Sequence, residues 1–234
     1  MRPFFNFYGG KWLLAPKYDA PIHQTIIEPF AGSAGYSVRH YANAVRLYDV
    51  DPVIVGVWDY LIKAPISEIN NLPDLVKHVD DLSSSVPQEA RWLIGFWLNC
   101  GSAVPKKSMA KWKLLPHSNK GQLNWGSRVK ERLAAQVGYI RHWTVECRDF
   151  ASLDTGVEAT WFVDPPYEVG GQYYRCKLTK DRYAELATWS QALTGQVIVC
   201  ERPTASWLPF KPLCQGRSAR YQFTEEAVWL GGVA

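Results

Sequence analysis

Thr25-Ile26-Ile27-Glu28-Pro29-Phe30-Ala31-Gly32-Ser33-Ala34-Gly35 is an apolar run that breaks into a turn of small residues. The part at 25–30 is short and β-branched, the signature of a buried strand. The small residues after it allow a tight reversal into a helix. Four more runs of this kind lie at 45–48, 143–145, 161–163 and 197–199. Four of the five runs end in a polar or turn-forming group: Ala31-Gly32-Ser33, Asp49, Arg148-Asp149 and Asp164-Pro165-Pro166. Parallel α/β sheets bind ligands just beyond the carboxyl ends of their strands, so acids and glycines gathered there fit that architecture. Helical patterns fill the gaps at 36–44, 52–63, 127–141 and 180–193. In the second, Val53, Val57 and Tyr60 share one face; in the third, Val129, Leu133, Val137 and Ile140 repeat at helical spacing. Strand alternating with helix predicts an α/β sheet.

The alternation fails between 64 and 125. That stretch holds Pro65, Pro73, Pro87, Pro105 and Pro116, with helices expected at 72–81 and 88–99. It reads as an insertion at 64–126 dividing a catalytic domain into 1–63 and 127–234. A closing β-hairpin is expected from 220–223 and 227–230. The 234 residues suit one compact domain, and 47% hydrophobic content supplies its core. No apolar run is long enough to span a bilayer, and the start of the chain lacks a signal peptide's apolar stretch, so the expected compartment is the cytoplasm. Five scattered cysteines without a Cys-x-x-Cys pair argue against disulfides or zinc. His23, His40, His78, His117 and His142 have no ligand spacing either, so no metal is expected. The net charge is +4, yet 105–132 carries eight basic residues against Glu131 alone. Such a patch is either a docking surface for a polyanion or a solvated face.

Three motifs carry chemistry. The glycine turn at 31–35 is either a plain strand–helix connection or a place where backbone approaches a nucleotide. Leu47-Tyr48-Asp49-Val50-Asp51 places an acid 17 residues after Gly32, near the spacing at which an acid meets ribose hydroxyls in dinucleotide folds. Asp49 is read as that ligand. Asp51, before Pro52, is read as a helix cap. Trp161-Phe162-Val163-Asp164-Pro165-Pro166-Tyr167 is the most specific. Its strand delivers a carboxylate, rigid prolines that fix carbonyl directions, and an aromatic ring. Such a loop can offer two acceptors to one amino group and a ring to a planar base; the alternative is a chance turn.

With these motifs in order, the chain resembles the Dam-type DNA adenine-N6 methyltransferases, of the phage or restriction-modification kind. Phe7-Tyr8-Gly9-Gly10-Lys11 resembles their N-terminal cofactor segment. Glu28, Pro29, Phe30, Ala31, Gly32 and Ser33 resemble their cofactor loop, Asp49 their ribose-binding strand end, and Asp149 and Phe150 the lining of the cofactor adenine. Asp164, Pro165, Pro166 and Tyr167 match the catalytic tetrapeptide, with Asp164 also near the cofactor. The resemblance implies a Rossmann-like methyltransferase sheet with an inserted, mostly helical target-recognition region. It also implies S-adenosylmethionine as cofactor, double-stranded DNA as partner, and a flipped adenine as substrate. Asp164 and the Pro165 carbonyl would accept hydrogen bonds from N6, and Tyr167 would stack on the base.

The middle of the chain departs from the family. Asn99-Cys100-Gly101-Ser102-Ala103-Val104-Pro105-Lys106-Lys107 stands where members reading GATC carry an Asn- and Gly-rich turn with Arg and aromatics. Lys106, Lys107, Lys111, Lys113, Lys120 and Arg128 are expected to meet phosphates. Trp112 and Trp125 are expected either to wedge against bases or to pack. Residues 168–177 are read as a flap over the site or an ordinary surface loop. Competing functions are methyl transfer to RNA adenine or to cytosine N4, and a non-catalytic DNA-binding module.

Overall fold

A computed structural model of the chain describes residues 1–99, 101–111, 124–217 and 223–232. Seven strands form one sheet: β1 Thr25–Glu28, β2 Ala44–Asp49, β3 Thr144–Cys147, β4 Ala159–Val163, β5 Gly195–Glu201, β6 Lys211–Arg217 and β7 Phe223–Gly231. Their spatial order is β3-β2-β1-β4-β5-β7-β6. The first five run parallel, while β7 is antiparallel to β5 and β6 antiparallel to β7. From β1 the chain steps outward through β2 and β3, then returns to place β4 on the other side of β1. The strand order therefore reverses between β1 and β4, and a crevice opens at their carboxyl ends.

The central strands are buried on both faces, which is why they read as continuous apolar runs. Alternate residues enter opposite cores. Ile26, Phe162, Ile198 and Cys200 join one, and Ile27, Trp161, Val163, Val197 and Val199 the other. The first core is capped by α1 Gly35–Arg39, α2 Pro52–Lys63, α3 Ile66–Asn71, α4 Gln88–Leu98 and α5 Ser127–Val137. The second is covered mainly by α6 Lys180–Gln191 and the 3-10 turn Phe150–Ser152. Asp51 caps α2, its Oδ1 accepting from the Val53 amide at 2.9 Å. No helix among the described residues is long and apolar enough to cross a membrane.

The structure departs from the sequence expectations in four places. The helix expected over 36–44 stops at Arg39, because Asn43 turns the chain into β2. The Asn43 amide side chain donates to the His23 and Gln24 carbonyls at 3.0 and 3.3 Å. The helix expected over 72–81 is absent. Pro73 disfavours the helical region for the residue before it, and Leu72 is extended at the end of α3. Only the 3-10 turn Val79–Asp81 falls in that window. The third helix narrows to Ser127–Val137 followed by the 3-10 turn Gly138–Ile140. In the terminal hairpin the partner of β7 is Lys211–Arg217, while 220–222 lie outside the described residues. Pro212 and a register shift between Pro212 and Cys214 hid β6 from pattern reading.

Residues 64–126 are stitched into the first core where they are described. Ile69 of α3, and Ala90, Leu93, Ile94 and Phe96 of α4, are fully buried beside residues of α2, α5 and the N-terminal segment. The Trp97 indole donates to the Phe4 carbonyl at 3.0 Å.

Candidate active site

A cavity of about 220 Å³ occupies the crevice at the carboxyl ends of β1, β2 and β4. The N-terminal segment reaches it as an irregular strap. Gly9 has φ +74°, in the left-handed region that favours glycine, and lies against the Tyr174 hydroxyl, which a Cβ there would meet at 2.3 Å. Phe7, Tyr8, Gly9, Gly10 and Lys11 all line the cavity, as do Glu28, Phe30, Ala31, Gly32, Ser33, Asp49, Asp149, Asp164 and Pro166. Pro29, Phe150, Pro165 and Tyr167 do not line it.

The glycine turn and the acid of β2 lock each other. Gly32 takes φ +44°, and its amide donates to Asp49 Oδ2 at 3.1 Å. The Asp51 amide donates to Asp49 Oδ1 at 2.9 Å. Each Asp49 oxygen thus holds one backbone donor and keeps a lone pair for a ligand. Burial pushes the Asp49 carboxyl up to about 6 against the pull of these amides. Glu28 is buried and accepts from the Ser37 amide at 2.8 Å; burial drives it up to about 8.

Asp164 leaves β4 into the cavity and meets Lys11 Nζ at 2.8 Å. Burial raises its carboxyl to about 6, with the ammonium pulling the other way. Lys11 is buried; burial alone would lower its ammonium, but the Asp164 and Glu226 carboxylates outweigh it and hold it above the usual range. Lys11 also donates to the Gly9 carbonyl at 2.9 Å and stands 4.6 Å from the centre of the Tyr167 ring. The Tyr167 hydroxyl donates to Glu226. The Tyr183 hydroxyl donates to the Pro166 carbonyl at 2.7 Å, and the Glu168 amide to Glu201 Oε2 at 3.0 Å, so α6 and β5 anchor the prolyl loop from behind.

Asp149 is engaged by Arg182, whose Nη2 lies 2.6 Å from both carboxylate oxygens. The same guanidinium stands 4.4 Å over the Phe150 ring, and Phe150 itself is buried against Phe30 and Trp189. In the segment 168–177, the Tyr174 hydroxyl donates to the Tyr8 carbonyl at 3.1 Å, and Arg175 pairs with Asp51 at 3.3 Å. Tyr174 to Leu178 form one wall of the cavity.

The basic stretch is partly neutralised within the protein. Lys107 pairs with Asp80 at 3.7 Å, Lys130 with Asp74 at 2.7 Å, and Arg132 donates to the Pro3 carbonyl at 2.8 Å. Lys107, Lys111 and Arg128 are exposed and Lys106 is half-buried. Trp125 is a packing residue: it is buried and its indole donates to the Pro73 carbonyl at 2.6 Å. Trp112, Lys113 and Lys120 lie outside the described residues.

Sequence reasoning missed Glu226, Tyr18, Glu201, Tyr183 and Arg182. Glu226 alone carried a signal, as an acid directly before the apolar run Ala227-Val228-Trp229-Leu230.

No protein-family model matches the chain, and no curated protein matches it. Among solved structures, it is similar to a presumed methyltransferase, yhhF, from Escherichia coli, at 11% identity and a TM-score of 0.38, covering 96% of this chain and 82% of that one. It is also similar to a SAM-dependent methyltransferase from Neisseria gonorrhoeae, at 12% identity and a TM-score of 0.39, covering 96% of this chain and 67% of the other. Likenesses this remote bear on neither substrate nor chemistry.

Proposed function

We propose that this chain is an S-adenosylmethionine-dependent methyltransferase acting on N6 of adenine in DNA. The observation that carries the reading is the convergence of Asp164 and the Gly32–Asp49 pair on one cavity at the switch point of the sheet. The donor set fits the cofactor. Asp49 retains acceptor capacity for ribose hydroxyls, and its carboxylate, with no cation paired to it among the described residues, favours a cationic ligand. When bound, S-adenosylmethionine supplies an electrophilic methyl group.

The rest of the chemistry falls to this chain. Adenine N6 is a weak nucleophile because its lone pair is delocalised into the ring. Asp164 accepts one N6 proton in a hydrogen bond and favours the electron-rich nitrogen that attacks. Tyr183 and Glu201 hold the prolyl loop, so its carbonyls are oriented before the base arrives. The target base must leave the duplex, at a cost of a few kcal/mol. Tyr8 and Tyr174, both half-buried, line the cavity at the strap. The exposed Lys111 and Arg128 and the half-buried Lys106 supply phosphate contacts that position the duplex without reading its sequence.

The test is incubation with methyl-labelled cofactor and duplex DNA, RNA or protein, then digestion and identification of the modified nucleoside. N6-methyladenine in DNA is the expected product. Label in N4-methylcytosine, in RNA alone, or in none of the three overturns the reading.

A further inference from the structure

The carboxylate that the proposed reaction needs as an acceptor already shares its charge with a cation, since Asp164 Oδ1 holds the Lys11 ammonium at 2.8 Å. An ammonium has three donors. Lys11 spends one on the Gly9 carbonyl at 2.9 Å and one on Asp164. A second carboxylate faces it: Glu226 Oε1, 3.9 Å from Nζ. Glu226 lies in β7, is 5% exposed, and accepts from the hydroxyls of Tyr18, at 2.7 Å, and Tyr167. Two carboxylates, the buried Glu226 and the half-buried Asp164, therefore share one cation in a site where unpaired charge is costly.

We propose that Glu226 is the alternate counter-ion of Lys11: when a substrate amino group engages Asp164, the ammonium shifts toward Glu226 and leaves Asp164 the stronger acceptor. This rests on the adenine-methyltransferase reading. No bond forms or breaks in the shift and no proton changes owner. Closing the present 3.9 Å to a charge-assisted hydrogen bond requires a movement of about 1 Å, small for a flexible four-carbon stem. Tyr167 is fixed by the same acid, since its hydroxyl is on Glu226 and its ring is beside Nζ. Glu226 is thus a positioning residue that acts through Lys11 and Tyr167.

The titratable groups around Asp164 make the shift measurable. They are Lys11 and Tyr18 of the N-terminal segment, Glu28 of β1, Tyr167, Tyr174 of the segment after the prolyl loop, Cys200 of β5 and Glu226 of β7. Burial raises Asp164 most; Lys11 lowers it and Glu226 raises it. Neutralising Glu226 should therefore leave Lys11 bound more firmly to Asp164 and lower the Asp164 titration midpoint.

Glu226→Gln keeps the shape and an acceptor for both tyrosines. In the ligand-free protein, carboxyl-carbon NMR is expected to show Asp164 titrating at lower pH than in wild type. In turnover on an adenine-containing duplex, kcat should fall about tenfold or more while the cofactor KM stays within about twofold, because only the reacting geometry has changed. The acid limb of the kcat–pH profile should move down with the Asp164 midpoint. If the glutamine variant does not fold, Glu226→Asp keeps the charge but withdraws it by one methylene. It too should lose kcat, with the Asp164 midpoint near that of wild type. Wild-type kcat in either folded variant, on an enzyme that methylates adenine, overturns the role of Glu226 alone. A wild-type protein that transfers no methyl group to adenine overturns the underlying reading and this role with it.

Discussion

Glu28→Gln should stabilise the protein at neutral and alkaline pH, by an amount that grows with pH. Glu28 ends β1, is 2% exposed, and accepts from the Ser37 amide at 2.8 Å. Burial raises its carboxyl from 4.5 to about 8, so the folded state prefers the neutral acid. The unfolded chain loses this proton first as pH rises. Stability from Glu28 is therefore fully present below pH 4.5 and is lost as pH rises through about 8. Each unit of separation corresponds to about 1.4 kcal/mol. On that scale wild type at pH 7 has lost roughly 3 kcal/mol, and above pH 9 roughly 5, both upper bounds for a relaxing interior. A glutamine carbonyl can still accept from Ser37 and never ionises. The expected advantage of the variant at pH 7 is about 1–3 kcal/mol, after allowing for an amide donor that needs a partner. That is a large share of the ~5–15 kcal/mol that holds a domain folded.

The measurement is urea unfolding of both proteins between pH 5 and 9, read as a difference in free energy. The difference should rise steadily across the range and level off near the top. Asp49 and Asp164 also titrate from raised positions near 6, but both proteins share them, so they cancel in the difference. A difference that is flat with pH would show that Glu28 is ionised in the fold and would refute the argument.

Asp164→Asn should cut methyl transfer by about 10²–10³ while cofactor binding by calorimetry is retained; near-wild-type turnover would remove Asp164 from catalysis. Asp49→Ala should weaken cofactor affinity roughly 10–100-fold, the range for a lost hydrogen bond to a charged group, and unchanged calorimetry would exclude the ribose role. Because Asp164 must be ionised to accept, kcat/KM should rise with pH through about 6, and a profile flat from pH 5 to 8 contradicts that requirement. Replacing both Lys106 and Lys111 with alanine should make the salt dependence of duplex binding shallower by about 1.8 in log–log slope and weaken all sequences alike; an unchanged slope ends their phosphate role.

Five parallel strands and the long helices α2, α4, α5 and α6 were legible because their residues obey a local period. Ile26 and Ile27 need only be apolar to fill opposite cores, and Val129, Leu133 and Val137 need only repeat at helical spacing. Failures came where a local exception governed. Pro73 ended a helical pattern, Asn43 turned α1 into β2, and Pro212 disguised an edge strand. In the cavity, residues next to a strand end were found in the sequence because the architecture predicts that position. Glu226 and Tyr18 were not, because Glu226 meets Lys11, Tyr167 and Tyr18 only in the folded sheet: Tyr18 and Glu226 are 208 residues apart.

One residue that sequence reading missed, Glu226, raises the pKa of one that it found, Asp164. A carboxylate shielded from bulk water in a crevice has a raised pKa and few partners. Its companions must come from elements that close over the crevice, and here those are the N-terminal strap, the segment after the prolyl loop, and the antiparallel hairpin that completes the sheet. Lys11 comes from the first, Tyr174 from the second and Glu226 from the third. The parallel half of the sheet supplies the acids of the cavity, Glu28, Asp49 and Asp164; the closing elements supply the cation and the counter-charge beside Asp164. On this reading β7 is part of the site's electrostatics as well as the completion of a sheet.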